Sequence, residues 1–298
     1  MGLKVEKVEK SFIGKKAVDQ ISFEIQKPGV FGLLGTNGAG KTTTIRMILG
    51  IITKDKGNIT WNDKEVIRKH VNFGYMPEER GVYPKSKIQD QLMYFAELKG
   101  MKKEEAKKAI DYWAKKLEIE EYLQMPAEKL SKGNQQKVQF AIAVMHDPEL
   151  IILDEPFSGL DPVNTELLKN IILELVEKKK YIIMSSHQMT SIEEFCTDIL
   201  ILDRGKTILQ GNLRKIKESY QDKTLEITVD HPIDEILKKC GFEQYHQVDQ
   251  NYVIEMNEKS NPQDLLKELI QSGSKVRKFE IKKPSLNDIF VEKVGEGK

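Results

Sequence analysis

Only two cysteines, Cys196 and Cys240, occur in 298 residues. That is too few for a disulfide framework, so a reducing compartment is expected. Aromatic residues make up just 7%, and no run approaches the ~18–20 uninterrupted apolar residues of a spanning helix. Met1 to Lys10 alternates apolar and charged residues and lacks the apolar region of a signal peptide. Any work at a membrane is therefore expected from its water side. An excess of one charge is missing too: 47 Lys and Arg against 46 Asp and Glu leave +1 with histidines neutral. This balance argues against nucleic acid as a partner, because such binding rests on neutralising phosphates.

What remains is the composition of an ordinary globular protein, 39% hydrophobic and 31% charged. At about 150 residues per domain, the length predicts two domains. The chain opens with strand-like alternation over Leu3, Val5 and Val8 and again from Ala17 to Ile25. An apolar run, Gly29 to Leu34, then stops at a cluster of glycines, and Thr42 to Leu49 follows as a helix. Strand, glycine loop and helix together open a nucleotide-binding α/β unit. From about Lys85 to His146 the pattern is helical, with seven lysines against three acids between Lys99 and Lys116. Leu98, Met101, Ile110, Trp113 and Leu117 fall near helical spacing there, which predicts an amphipathic helix with a solvated lysine face. Leu150 to Leu153 and Tyr181 to Met184 read as buried strands flanking a helix, Val163 to Glu177, and Ile199 to Leu209 is β-rich. After about Tyr220 a new alternation of strands and helices begins, ending in a short helix that Ser285 can cap. It predicts a small α+β domain. His231 and His246 stand alone there, the pattern of packing or surface residues.

The sequence Gly35-Thr36-Asn37-Gly38-Ala39-Gly40-Lys41-Thr42 fits the phosphate-loop pattern G-x-x-x-x-G-K-[ST]. Its glycines let successive N–H groups turn toward phosphate oxygens, and the following helix adds the positive end of its dipole. Lys41 can reach the β- and γ-phosphates, and the Thr42 hydroxyl, with Thr43 beside it, suits Mg²⁺ and phosphate. A guanine-reading Asn-Lys-x-Asp element is missing. Downstream, Leu150 to Leu153 leads into Asp154 and Glu155, placing Asp154 near a Mg²⁺ shell and Glu155 where it can polarise an attacking water. Between these elements, Leu130-Ser131-Lys132-Gly133-Asn134 starts another helix about 20 residues before Asp154. Its hydroxyl, cation and open N–H groups make a second candidate anion site.

This ordered set resembles the ATP-binding subunit of an ABC transporter over residues 1 to about 220. Gly35 to Thr42 corresponds to that family's Walker A and Leu150 to Glu155 to its Walker B with the catalytic glutamate. Leu130 to Asn134 corresponds to the signature Leu-Ser-Gly-Gly-Gln, with Lys132 and Asn134 as departures. Ser158-Gly159-Leu160-Asp161 resembles the D-loop, and His187, after Ser185-Ser186, the switch histidine. Phe12 sits where the family places an adenine-stacking aromatic. Gly74 to Glu79 resembles the Q-loop with Glu78 at the glutamine position, implying a carboxylate that can approach Mg²⁺. The stretch Glu78-Glu79-Arg80-Gly81 and the ending Pro284 to Phe290 are similar to the bacterial sodium- and drug-export branch.

The resemblance implies an α/β P-loop NTPase cassette with a mixed sheet core over 1–220, a helical subdomain at about 85–146, and a C-terminal α+β accessory domain over 221–298. It implies ATP hydrolysis with Mg²⁺ at two head-to-tail sites in a homodimer or heterodimer. There Walker A of one subunit and Ser131, Gly133 and Asp161 of another hold one ATP. Glu155 would position water, and His187 would sense the γ-phosphate. The implied partner is a separate integral membrane permease, with the chain peripheral on the cytoplasmic face and transport outward. The alternative is a soluble cassette acting on ribosomes or DNA, which generally needs two cassettes, a long insertion or a basic surface. A non-catalytic module would be expected to lack Lys41, Glu155 or His187, and all three are present.

Overall fold

The structure is a computed structural model that describes residues 2–66, 71–79, 81–220, 224–256 and 261–295. Arg80, one of the residues read as marking the export branch, lies outside the described residues. The chain forms two compact units, residues 1–213 and 214–298.

In the first unit, β1 (Leu3–Phe12) and β2 (Lys15–Ile25) form a hairpin, followed by β3 (Gly29–Gly35) and helix α1 (Lys41–Ile48). Next come β4 (Lys56–Trp61), the two-residue β5 (Lys64–Glu65) and β6 (Phe73–Met76). The helices α2 (Ile88–Leu98), α3 (Lys103–Lys116) and α4 (Lys132–Val144) then precede β7 (Leu150–Asp154). The unit finishes with α5 (Pro162–Glu177), β8 (Tyr181–Ser186), α6 (Met189–Glu193), β9 (Cys196–Asp203) and β10 (Lys206–Asn212).

Two sheets result. The outer one is antiparallel in the order β2-β1-β4-β5, and its half-buried strands alternate as such sheets require. The inner one runs β10-β9-β3-β8-β7-β6, parallel except for β10. Every residue of β3 and β7 is buried, which explains their unbroken apolar runs. The sheets share a core in which Phe23 stacks on Phe31 at 4.9 Å and Trp61 meets Tyr181 edge-on at 5.1 Å. In α3 the buried positions are Ala106, Ile110, Trp113 and Ala114, and Trp113 packs against Phe140 of α4 at 6.4 Å. Its lysines are mostly solvated, whereas Leu98, expected on the apolar face, is 62% exposed.

The strand order decides where chemistry can gather. Because β8 lies between β3 and β7, the carboxyl ends of all three open on one edge. There Leu34 pairs with Ser186, and Asp154 with Ser185. Ligands of open α/β sheets collect at such an edge.

The second unit opens with helix α7 (Leu213–Ser219), whose first residue closes the first unit, a few residues ahead of the expected boundary at 220. It contains β11 (Thr224–Val229), α8 (Asp234–Lys239), β12 (Tyr245–Val248), β13 (Asn251–Glu255), α9 (Pro262–Gln271), β14 (Val276–Lys282) and α10 (Leu286–Gly295). The sheet is antiparallel in the order β12-β13-β11-β14. Leu225, Ile227, Phe242, Tyr252, Ile254 and Leu269 anchor a separate core. Ser285 does cap α10: its Oγ accepts from the Asp288 N–H at 3.2 Å, and Asp288 Oδ2 accepts from the Ser285 N–H at 2.9 Å. His231 is tied down by Asp230 at 2.7 Å and Ser274 at 2.9 Å. His246 lies exposed on β12. Among the described residues no cluster of three or more His, Cys, Asp or Glu is arranged to hold a metal.

Candidate functional site

The phosphate loop leaves β3 and enters α1 through backbone that only glycine tolerates well. Gly35 has φ 146°, and a Cβ there would lie 2.3 Å from the Leu202 carbonyl oxygen. Gly40 has φ 105°, and its Cβ would lie 2.7 Å from the Ala17 carbonyl oxygen. Thr36, Asn37 and Gly38 are exposed, Ala39 and Gly40 are buried, and Thr42 and Thr43 are half-buried on the first turn of α1. That turn carries no acidic side chain, and Gly40 offers none as a cap. Its N–H groups and the helix dipole are left to favour an anion.

Lys41 is buried, with 6% of its surface accessible. Its Nζ donates to the Gly35 carbonyl at 2.8 Å and the Thr36 carbonyl at 3.2 Å, and lies 3.8 Å from Glu155 Oε1. Desolvation pulls its pKa down, opposed by the charges of Glu155, Asp154 and Glu78.

Asp154 closes β7 as a buried carboxylate. The Ser185 hydroxyl donates to its Oδ1, while its Oδ2 is buried without a hydrogen-bond partner among the described residues. Burial raises its pKa, with the Ser185 and Thr42 hydroxyls pulling the other way. A buried, unsatisfied carboxylate oxygen is costly, and it suits a hard cation that takes oxygen ligands. Asp154 and the Thr42 hydroxyl therefore fit Mg²⁺.

Glu155 follows at φ 52°, a left-handed backbone that costs a non-glycine residue energy and is typical of functional sites. The turn is held because its N–H donates to the carbonyl and hydroxyl oxygens of Ser185, each at 3.2 Å. Its Oε1 accepts from the His187 backbone N–H at 2.8 Å and meets His187 Nδ1 at 2.8 Å. With a carboxylate opposite, Nδ1 is assigned the proton. Lys41, Glu155 and His187, drawn from three different strand ends, thus converge on one carboxylate oxygen.

Among the described residues, none of the remaining expected residues outside the phosphate loop has a hydrogen bond to Lys41 or Glu155, although the Glu78 charge reaches Lys41. Ser131 caps α4 by accepting from the Asn134 N–H at 3.2 Å, and Asp161 caps α5 by accepting from the Asn164 N–H at 3.0 Å. That N–H holds the Asp161 carboxyl below its ordinary range. A Cβ on Gly133 would meet the side chains of Leu160 at 3.4 Å and Asn164 at 3.7 Å, so the two capped turns pack together. Both Ser131 and Asp161 are exposed, and among the described residues neither hydrogen-bonds Lys41, Asp154 or Glu155. Glu78 is exposed in the loop after β6. Phe12 is exposed at the tip of the β1–β2 hairpin, with Lys10 Nζ 5.5 Å from its ring centre and paired to Asp55 at 2.7 Å.

Sequence reasoning missed the part played by Ser185, which binds both acids, and by two glutamines of α4. Gln136 donates to the carbonyls of Glu155 and Pro156, and Gln139 to those of Pro77 and Glu79. Their signal was two amides set among apolar residues of a helix.

Comparison with known proteins agrees with this geometry. Residues 18–158 match the ABC transporter family, and residues 211–294 match the C-terminal domain described for DrrA1-3-like ATP-binding proteins. An uncharacterised ABC transporter ATP-binding protein of Bacillus subtilis, YhaQ, is 45% identical, with 98% of each chain covered. The bacitracin transport ATP-binding protein BcrA of Bacillus licheniformis is 30% identical over 99% of this chain and 98% of its own. A solved ATP-binding subunit of an ABC transporter superposes with a TM-score of 0.68 at 28% identity, covering 73% of this chain and 92% of its own. These relatives give no support to a cassette acting on ribosomes or DNA. The chain belongs to the ATP-binding subunits of ABC transporters, a family that hydrolyses ATP.

Proposed function

We propose that the chain drives an export permease in the membrane, with the cluster around Glu155 as its hydrolytic centre. The observation that carries this reading is the convergence of Lys41, His187 and the Glu155 carboxylate at the edge of the inner sheet. The loop from Gly35 to Thr43 would bind the phosphates of ATP through its N–H groups and Lys41. Phe12 would stack on adenine. Thr42 and Asp154, approached by Glu78, would hold Mg²⁺, which when bound neutralises charge on the β- and γ-phosphates.

With Oε1 engaged by His187 and Lys41, Glu155 has its second oxygen available to orient a water and take its proton. His187 fixes the carboxylate and would register the γ-phosphate. Ser131, Gly133 and Asp161 sit away from that centre and on neighbouring caps. This favours their use on the nucleotide of a second, head-to-tail cassette, in a homodimer or a heterodimer. ATP would close the dimer because both halves hold its γ-phosphate, and hydrolysis would release it.

No helix among the described residues is long and apolar enough to cross a membrane, so the membrane spans would come from a separate permease. The chain would lie peripherally on its cytoplasmic face. In this reading the cassette comprises residues 1–220, its helical subdomain residues 85–146, and the accessory domain residues 221–298. A role in transport is supported by the similarity to the bacitracin transport ATP-binding protein. The test is affinity purification of the tagged chain from membranes. Recovery of a polytopic membrane protein whose presence raises Mg²⁺-dependent ATP turnover is expected, and recovery in a ribosome or DNA complex would overturn the reading.

A further inference from the structure

Helix α4 begins at Ser131 and is buried along most of its length. Within it, Gln136 and Gln139 stand one turn apart with 5% and 3% of their surfaces accessible. Each spends its amide on the backbone of a remote loop. Gln139 Nε2 donates to the Pro77 carbonyl at 2.7 Å and the Glu79 carbonyl at 2.9 Å, bracketing Glu78. Gln136 does the same at longer range for Glu155 and Pro156, at 3.3 and 3.1 Å. The orientation of the Gln139 amide is settled by its partners, since both are carbonyls and only the NH₂ end can serve them. Its Oε1 is left buried without a hydrogen-bond partner among the described residues.

An apolar side chain at 139 would remove that orphan oxygen but also release both carbonyls. Retaining a buried, half-satisfied amide opposes stability and points to the two bonds it makes. The strand leading into the bracketed turn is bound to the same helix. A Cβ on Gly74 of β6 would lie 2.1 Å from the Ala143 carbonyl oxygen of α4, so backbone meets backbone there.

We propose that Gln139 is a positioning residue that makes the turn Pro77–Glu79, and with it Glu78, move as one body with helix α4. Whatever Ser131 meets at the start of α4 is thereby passed to Glu78 and to the chain entering the helical subdomain. The inference rests on the reading of the site given above, because it takes Ser131 and Glu78 as nucleotide-facing groups. It adds a residue outside the phosphate loop, the acids and the signature, one that touches neither nucleotide nor metal.

The experiment compares the full chain with its Gln139→Leu and Gln139→Met variants, which keep the volume and remove the donors. Three quantities are read: Tm, amide hydrogen exchange of a peptide spanning Tyr75 to Glu79, and steady-state ATPase kinetics. Expected are a Tm equal to or above that of the parent, exchange faster by at least about tenfold in that peptide, and kcat lower by about 3–10-fold with KM for ATP within twofold. A residue that merely fills the core would alter Tm without this local exchange or the kcat-against-KM split. Unchanged exchange in whichever variant folds overturns the proposal, and so does faster exchange with unchanged kcat. A parent chain that hydrolyses no ATP would overturn the functional reading instead, and the exchange result would still decide whether Gln139 holds the turn.

Discussion

The two units treat their charged groups in opposite ways. In the first, Lys41, Asp154 and Glu155 are all buried at one sheet edge, one carboxylate oxygen has no hydrogen-bond partner among the described residues, and Glu155 sits at φ 52°. In the second, no charged side chain among the described residues is buried, and several pair at the surface. Glu226 Oε2 meets Lys278 at 2.7 Å and its Oε1 meets Lys282 at 2.5 Å, while Lys239 meets Glu268 at 2.7 Å. Ser274 is the one buried polar residue of that unit among those described. Buried charge with an unsatisfied carboxylate oxygen costs stability, so its placement at one edge of the first unit marks where a ligand has to be met.

The contrast predicts responses of opposite sign. Asp154→Asn carries the largest expected effect: ATP turnover should fall by about 100-fold or more, from loss of cation-held charge stabilisation, while the first unit becomes more stable. Burial raises the Asp154 pKa, so its ionised form destabilises the native chain above that titration and the penalty disappears at lower pH. The Tm of the variant should therefore exceed the parent's at neutral pH, by roughly 2–4 °C per kcal/mol relieved. The gap should close as pH falls through the raised titration toward the ordinary carboxylate range. Melting curves across pH, read beside turnover, check both halves.

Phe242→Ala comes next. It opens a cavity at a fully buried site of the second unit and should cost about 3–5 kcal/mol there. Calorimetry should show the transition of residues 214–298 shifted down while ATP binding by the first unit persists; loss of ATP binding would break the separation drawn here. The smallest effect belongs to Glu226→Ala, less than about 1 kcal/mol for an exposed pair. Lys278 and Lys282 hold the Glu226 carboxyl below its ordinary range. Its contribution is present above that range and lost on acidification, opposite in sign to Asp154.

How much could be read in advance followed how local each feature is. β3 and β7 were legible because both faces are buried and the apolar runs are unbroken. β4 was not, since its first three residues are exposed, and the four-residue β12 is almost wholly solvated. The phosphate loop, the two acids and His187 were legible because each is a short contiguous pattern. The glutamine contacts were not, because Gln139 reaches a carbonyl 62 residues away and that partner is backbone, which any residue supplies. The φ of Glu155 is likewise invisible in a residue name; it comes from strand β8 offering Ser185 beside it.

In the function proposed, Glu155 activates water at a site completed by a second cassette. Its most direct test is Glu155→Gln with Mg²⁺ and ATP, measured by turnover and by light scattering on a size-exclusion column. Expected are retained ATP binding, hydrolysis reduced by at least about 100-fold, and accumulation of an ATP-dependent dimer. Unchanged hydrolysis in that variant would contradict it.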